Sequence, residues 1–419
     1  MSERCEQRLA IDGGSPIKTA PWGRGSKHPP CEAEAVRALT ADRPRLPLAM
    51  GEAILGLRQG FRELFGIAHA VPTSSGTAAI HTALAAMGIA PGDEVITTPV
   101  TDHGTVIGIM QLDAVPVFAD VKPDTAMIDA ETIEPCITPR TRAILPVHYH
   151  GCPADMDGIT ALAQKHNLHV LEDAAQSWLA QWNGRLVGTI GDAGAFSMNE
   201  SKHLSVGEGG LLITNHASLA AAADKFADKS YDRHSGVNRP TAPAMNYRLS
   251  EIAAAIGLEQ LKRIESITRR RHEIGERIAD ALHDLAGVNM LRSPVGGRCT
   301  YWHGLLIIDP EVLTVNAKMF ADALRAEGIG PAGAGVKNIM RWPLFARLNE
   351  EPSAFAGYRP PGLVPGRFAP ESCPTAETLT ERAVRFGINE FMMETDVDQT
   401  ITAVHKVADW YTAQRTAVV

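Results

Sequence analysis

Strand-like apolar segments alternate with helical segments through the first half of the chain, and this alternation limits the possible folds more than any other feature. Strands that alternate with helices form a parallel sheet with helices on both faces. The pattern therefore predicts an α/β fold. The strand-like segments are Ala70–Pro72, Glu94–Thr98, Ala114–Val121, Ala143–Val147 and Leu168–Leu171.

Several polar residues follow these segments directly. Asp173 comes just after one apolar strand, His148 follows another, and a polar segment follows Pro99. Ligands of such sheets bind at the carboxyl ends of the strands. We therefore expect these residues to lie near a common site.

The chain of 419 residues is long enough for two or three domains. Residues 1–50, rich in proline and glycine, predict an N-terminal arm that lies over the rest of the protein. Residues 51–265 predict a large domain and residues 266–419 a smaller C-terminal domain. The boundary falls within a long helical region, Ser250 to about Leu285, with a break expected near Ile267.

Composition excludes several classes of protein. Hydrophobic residues make up 45% of the chain, charged residues 21%, and the formal net charge is −8. These values are typical of a soluble globular protein. Basic residues cluster only at 269–271, which argues against a nucleic-acid partner. The chain contains no apolar run of about 18 residues, so no membrane span is predicted. The absence of a signal-peptide pattern makes the cytoplasm the expected location.

The six cysteines are scattered and include no CxxC pair. This spacing argues against a zinc ribbon or a disulfide framework and is typical of a reducing compartment. No metal site is predicted.

The segment Ala193–Thr214 places a single lysine, Lys202, between an apolar strand and a cluster of glycines. Burial lowers the pKa of a lysine and leaves a neutral amine that can attack a carbonyl group. The alternative is a lysine in a solvated loop, which is where most lysines lie.

Ser75, Gly76 and Thr77 stand where a helix begins. Residues of this kind leave backbone N–H groups free at the positive end of the helix dipole, which favours an anion such as phosphate. Ordinary helix capping would use the same residues.

Four motifs occur in order along the chain: SSGTAAIHTAL, LEDAAQS, FSMNESKHLSVGEGG and MNYRLSE. Together they resemble the DegT/DnrJ/StrS sugar aminotransferases, which are fold-type I pyridoxal-phosphate enzymes. The resemblance is good from about residue 50 to 285 and looser beyond. It implies a large domain with a mainly parallel, seven-stranded type of sheet covered by helices, followed by a smaller α+β domain.

The resemblance also implies a cofactor, pyridoxal 5′-phosphate, with pyridoxamine phosphate as its intermediate form. Lys202 matches the lysine that bonds to the cofactor and then moves a proton, and Asp173 matches the carboxylate that keeps the pyridine nitrogen protonated. Gln176 matches a residue that contacts the ring hydroxyl. Taken singly, Asp173 would be a helix cap and Gln176 a surface residue.

Further cofactor contacts follow from the same resemblance. Ser75, Gly76, Thr77 and Ser197 match the residues that hold the phosphate. Asn246 matches an asparagine that reaches the phosphate of the neighbouring subunit, which implies a homodimer with shared active sites. His103 falls where relatives place an aromatic ring that stacks on the cofactor, although a lone histidine is more often structural.

Two segments, Leu9–Trp22 and Cys373–Glu377, resemble the aminocyclitol and aminohydroxybenzoate-synthase branches of the group. This resemblance implies transfer of an amino group from glutamine or glutamate to a keto-cyclitol or keto-sugar, in natural-product biosynthesis of the aminoglycoside type. The resemblance assigns no counterpart in the family to residues 346–370. Polar or aromatic candidates for the substrate mouth are Tyr301, Trp302, His303, Lys337 and Arg341.

Two other functions remain open from the sequence. Some proteins of this fold replace the lysine with histidine and act as dehydratases or related lyases, and here His203 follows Lys202 directly. The spacing of FSMNESK places Lys202 in the reactive position, which favours an aminotransferase. A non-catalytic sugar sensor of the same fold is the third possibility.

Overall fold

The computed structural model describes residues 8–418 except 24, 42–44, 48–49, 234, 236–238 and 356, and for residues 414–418 it describes the backbone alone. The strands are β1 (His69–Thr73), β2 (Glu94–Thr97), β3 (Val115–Phe118), β4 (Thr141–Leu145), β5 (His169–Asp173), β6 (Gln181–Trp182), β7 (Arg185–Leu186), β8 (Ala193–Ser197), β9 (Gly210–Thr214), β10 (Val288–Met290), β11 (Gly297–Arg298), β12 (His303–Ile308), β13 (Gly333–Ala334) and β14 (Ala383–Gly387).

Helices connect most of these strands and cover the sheets. They are α1 (Pro30–Thr40), α2 (Glu52–Phe65), α3 (Gly76–Ala86), α4 (Gly104–Met110), α5 (Ala130–Ile133), α6 (Met156–His166), α7 (Ala217–Ala227), α8 (Glu251–Leu261), α9 (Ile264–Ala281), α10 (Pro310–Leu313), α11 (Ala317–Ala326), α12 (Pro343–Glu350), α13 (Pro374–Arg382) and α14 (Glu394–Val418). None of the helices in the described part of the chain has the length and apolar character that crossing a bilayer requires.

The large sheet has the strand order β1-β9-β8-β5-β4-β2-β3. Strand β9 runs antiparallel to both its neighbours, and the remaining pairs are parallel. Every residue of β2, β8 and β9 is buried, because helices cover both faces of the sheet. A second sheet, in the order β10-β12-β14-β13, is antiparallel and belongs to the smaller domain. The predicted α/β architecture, with its mainly parallel sheet and smaller α+β domain, is confirmed.

The long helical region is divided into α8 and α9 at Lys262 and Arg263. The predicted break near Ile267 is therefore wrong by about one turn, because Ile267 packs as a buried residue inside α9. A short third sheet, in the order β11-β6-β7, joins the segment after α9 to the large domain.

The N-terminal arm is bonded to the small domain. The ammonium of Lys18 forms a buried ion pair with Asp396, whose other oxygen accepts a hydrogen bond from the Gly23 N–H at 2.9 Å. The carboxylate of Glu327 accepts from the Ala10 N–H at 2.8 Å and from the Ile17 N–H at 3.1 Å. These contacts fix the arm beside the end of β14.

Residues 346–370 cover one edge of the large sheet. The Tyr358 hydroxyl donates to the Ala114 carbonyl at 3.2 Å, and Arg367 pairs with buried Glu94 at 3.1 Å. This segment contains the end of α12 and is otherwise without regular structure in its described residues.

A disulfide joins Cys152 to Cys299, with their Cα atoms 4.3 Å apart and both residues fully buried. The cysteine spacing argued against a disulfide framework, and the folded chain nevertheless forms this bridge. The two cysteines lie 147 residues apart in sequence, so only the folded chain brings them together. Cys31, Cys136 and Cys373 are free, and Cys5 lies outside the described residues.

Candidate active site

Lys202 lies in the turn between β8 and β9, where the Lys202 N–H donates to the Asn199 carbonyl at 3.0 Å. Its Nζ atom lies 3.6 Å from the centroid of the Trp302 ring. Burial lowers the pKa of this lysine to about 8, against the opposing effect of Asp173 and Asp102. An amine with this pKa is partly neutral near pH 8 and can act as a nucleophile or a base.

Asp173 ends β5 and is buried. One carboxylate oxygen accepts from the Thr105 hydroxyl at 2.8 Å, and the other accepts from the Ala175 N–H at 3.1 Å. Burial raises the pKa of Asp173, while these two donors and the Lys202 charge favour the ionised form. A carboxylate held in this way can stabilise a cation placed against it.

The first turn of α3 forms the opposite end of the site. Ser75 is the N-cap, and its hydroxyl accepts from the Ala78 N–H at 3.0 Å. A Cβ atom added to Gly210 would lie 2.0 Å from the Ser75 carbonyl oxygen, so β9 contacts this turn at a distance that only glycine allows. A Cβ atom added to Gly76 would lie 2.9 Å from the Ser197 Cβ atom of β8. The first turn of α3 and the Ser197 hydroxyl of β8 therefore face the same space. Free N–H groups at a helix N-terminus favour an anion there.

These groups line a single cavity of about 540 Å³, which we call the Lys202 cavity. The predicted residues that line it are Ser75, Gly76, Thr77, Asp173, Gln176, Ser197, Lys202, Trp302, His303 and Lys337. The Gln176 Oε1 atom accepts from the His150 N–H at 2.9 Å, so its NH₂ group is the part free to bind a ligand. Donors for a phosphate, a carboxyl group for a protonated ring nitrogen and a desolvated amine for an aldehyde all face this cavity, so its residues fit pyridoxal phosphate.

His103 does not line the cavity, and the expectation that it faces the cofactor is not supported. Its ring lies against Trp342 and Phe345, with centroids 6.0 Å and 6.2 Å away. Asp102 lines the cavity instead and accepts a hydrogen bond from Lys337 at 2.7 Å. The turn that starts α4 directs adjacent residues to opposite sides, which the sequence pattern does not reveal.

Two of the five candidates for the substrate mouth also lie elsewhere. The Tyr301 hydroxyl donates to Glu276 at 2.6 Å, and its ring packs so closely on α9 that a Cβ at Gly275 would lie 2.2 Å from it. Arg341 donates from two nitrogens to Glu377, at 2.8 Å and 2.6 Å, outside the cavity. Both side chains have structural partners in place of a ligand.

Asn246 also lies away from the Lys202 cavity of its own chain, where its backbone pairs with Asp228 in an isolated bridge. Its expected contact is with a neighbouring subunit, so that role stays a prediction.

The sequence analysis missed six cavity residues with charge or hydrogen-bonding capacity, namely Asp102, Thr105, Asn199, Ser201, Glu208 and Arg385. Asp102 and Thr105 follow Pro99, a segment already expected near the site, and could have been found there. Arg385 lies on β14 of the small domain and had no signal in the sequence. Its exposed guanidinium forms no ion pair with any residue that the structure describes.

Residues 32–356 match the model of the DegT/DnrJ/EryC1/StrS aminotransferase family. The chain is 35% identical, over 77% of its length and 78% of the relative's, to a putative L-glutamine:3-amino-2,3-dideoxy-scyllo-inosose aminotransferase of Micromonospora echinospora. Among solved structures, DesV of S. venezuelae is 27% identical with a TM-score of 0.76, covering 91% of this chain and 94% of DesV. The aminotransferase of Psychrobacter cryohalolentis is 28% identical with a TM-score of 0.79, covering 92% of this chain and 98% of that one. The chain is therefore an aminotransferase of the DegT/DnrJ/EryC1/StrS family, whose members depend on pyridoxal phosphate.

Proposed function

We propose that this aminotransferase binds pyridoxal phosphate in the Lys202 cavity and transfers an amino group from glutamine or glutamate to a keto-cyclitol or keto-sugar. One observation carries the proposal: the lowered pKa of Lys202 in a cavity that the buried Asp173 carboxyl and the N-terminus of α3 also line. A neutral amine, a cation-stabilising carboxylate and an anion site are the three requirements of this cofactor.

Each end of the cavity has a distinct task. Ser75, Gly76, Thr77 and Ser197 bind the phosphate. Asp173 would hold the protonated ring nitrogen, and Thr105 holds that carboxylate in place. When bound, the cofactor supplies an aldehyde that bonds to amines and a cationic ring that withdraws electrons from the bonded carbon.

Lys202 acts twice. As a neutral amine its Nζ atom would hold the cofactor through the aldehyde carbon, with loss of the aldehyde oxygen as water, and after release by the donor's amine it would serve as the base that moves the proton of the donor's α-carbon. The Trp302 ring, 3.6 Å from Nζ, shields the amine from water and limits its movement. The pKa near 8 suits both steps, because a base works best when its pKa is close to the ambient pH.

The amino donor is a molecule with a carboxylate. Arg385 faces the cavity without an ion-pair partner in the described chain, and Lys337 lines the same wall. A guanidinium binds a carboxylate through two parallel hydrogen bonds, so Arg385 is suited to the α-carboxylate of glutamine or glutamate. The relative from Micromonospora is named for glutamine as donor, which supports this choice.

The acceptor is a ring ketone, and the name of the same relative, whose substrate is an inosose, favours a keto-cyclitol. The product carries the new amine on the former ketone carbon, as in aminoglycosides. Asn246 lies outside the cavity of its own chain, and we propose that it contacts the phosphate site of a second copy in a homodimer.

The test begins with the purified protein and added pyridoxal phosphate. We expect a new absorbance band at the edge of the visible range, and borohydride should then label Lys202. Glutamine or glutamate should convert the cofactor to pyridoxamine phosphate and release the oxo acid, an exchange that a lyase would not perform.

Lys202→Ala should lose both the band and the label. Lys165→Ala is the matched control, because Lys165 is an exposed lysine paired with Glu134 far from the cavity. A wild-type protein that stays colourless and unlabelled would refute the proposal.

A further inference from the structure

A second cavity adjoins the Lys202 cavity and shares Ser201, Trp302 and His303 with it. Its volume is about 540 Å³, comparable to that of the Lys202 cavity itself. We call it the outer cavity. It lies between Trp22 of the N-terminal arm and the small-domain residues Gly330 and Asn389.

The outer cavity has no free charge with which to bind an anion. Arg271 is the one charged side chain among its described lining residues, and it is buried. Its guanidinium pairs with Glu390 at 2.8 Å and donates to the Ile388 carbonyl at 3.1 Å. His303 is neutral, because burial lowers its pKa to about 3. A diphosphate placed here would lose its water without gaining a cation, which is strongly unfavourable.

The remaining lining groups suit an uncharged, hydroxylated ring. Trp22 and Trp302 provide aromatic surface for the apolar faces of such a ring. The Asn389 Oδ1 atom accepts from the Phe391 N–H at 2.9 Å, which leaves the amide NH₂ group available to a hydroxyl group. Few polar groups set among apolar ones are typical of sites that bind small neutral molecules.

The position of Trp302 connects the two cavities. Its ring contacts the Lys202 ammonium and also lines the outer cavity, so a ligand there lies one side chain away from the reactive amine. A ring bound in the outer cavity can therefore be linked to a ring whose ketone reaches Lys202.

We infer that the outer cavity binds a second, uncharged hydroxylated ring of the acceptor, so that the preferred acceptor is a keto-ring carrying a glycosyl group. The inference rests on the proposed function, since it assumes that the acceptor's ketone reacts at Lys202. It predicts discrimination against nucleotide-linked keto-sugars, whose diphosphate the outer cavity cannot neutralise.

The experiment uses the holoenzyme in two separate half-reactions. Glutamine first converts the cofactor, which tests the proposed function alone. The converted enzyme is then mixed with scyllo-inosose, with glucosyl-scyllo-inosose or with a uridine-diphosphate keto-sugar, and return of the original absorbance gives kcat/KM for each. We expect kcat/KM to be about ten-fold or more higher for the two-ring acceptor than for the single ring, because one aromatic contact contributes a free energy of that size.

Two variants assign that preference to the outer cavity. A Cβ at Gly330 meets no atom within 4 Å, so Gly330→Leu fills the cavity without backbone strain, and Trp22→Ala removes one aromatic wall. Both should reduce the preference about ten-fold and leave the glutamine half-reaction and the single-ring rate unchanged. Trp182→Ala is the control, since Trp182 lies on β6 outside both cavities.

Tryptophan fluorescence of the holoenzyme with glucosyl-scyllo-inosose provides a second readout, and its quenching should weaken in Gly330→Leu. Normal turnover of glutamine combined with equal rates for one-ring and two-ring acceptors would overturn the inference and leave the proposed function intact. A preference for the nucleotide-linked sugar, or a preference unchanged in both variants, would overturn it as well.

Discussion

Thr105→Val tests how the protein keeps a buried carboxylate ionised for its cofactor. The Thr105 hydroxyl donates to Asp173 at 2.8 Å, and valine has the same shape without the donor. A hydrogen bond to a charged group contributes about 1.5–3 kcal/mol, and one pKa unit corresponds to about 1.4 kcal/mol. The substitution should therefore raise the already elevated pKa of Asp173 further, because the ionised form loses a donor.

A protonated Asp173 has no negative charge with which to stabilise a protonated ring nitrogen, so cofactor affinity should fall about ten-fold to a hundred-fold. The assay is titration of the apoenzyme with pyridoxal phosphate from pH 6 to pH 9, followed by absorbance. The loss should be largest at low pH, where the carboxyl group of the variant is protonated, and should shrink as the pH rises through its new pKa.

Thr105→Ser is the matched control, because serine keeps the donor and should bind the cofactor as the wild type does. Equal affinity of the valine and wild-type proteins at every pH would refute the reasoning. A uniform loss without pH dependence would show that Thr105 acts through packing and not through the ionisation of Asp173.

Three further outcomes are expected. Gly210→Ala places a Cβ 2.0 Å from the Ser75 carbonyl oxygen, and should lower the free energy of unfolding by about 1–3 kcal/mol and weaken phosphate binding, as urea unfolding and cofactor titration would show. Cys299→Ser breaks the bridge to Cys152 and should lower the free energy of unfolding by up to about 5 kcal/mol on the chain-entropy estimate for a loop of this length; no difference from the wild type under oxidising conditions would contradict it. Labelling of Lys202 by pyridoxal phosphate and borohydride should rise with pH and be half-complete near pH 8, since the neutral amine forms above the lowered pKa; a midpoint near 10 would show a solvated lysine.

The candidate active site could be predicted from the sequence because each of its motifs is a short run of nearby residues. Ser75, Gly76 and Thr77 form a helix N-terminus from consecutive residues, Asp173 is the last residue of β5, and Lys202 lies in the turn after β8 of the same sheet. Strands of one sheet bring their carboxyl ends together, so the order of these motifs was enough to predict their convergence.

The small-domain part of the site was harder to predict from the sequence, because contacts between distant segments position its residues. Arg385 reaches the cavity because β14 pairs with β12, and no local pattern distinguishes this arginine from a surface residue. Tyr301 and His303 show the same limit, because they lie two residues apart in sequence and their side chains face different environments. The left-handed backbone of Tyr301, with φ of 44°, turns its ring under α9 and leaves His303 at the cavity.

The sequence by itself determined the α/β fold and the family, and it predicted an anion site at Ser75–Thr77 and a functional pair of Asp173 and Lys202. The fold depends on periodicity and the anion site on helix capping, which act between residues close together in the chain, and the family follows from four motifs in order. The tertiary structure alone decided that Asp102 and not His103 faces the cavity, that Cys152 meets Cys299, and that the N-terminal arm and small domain enclose the outer cavity. Those features arise where segments hundreds of residues apart pack together, and the direction of a side chain there depends on the packing of both segments.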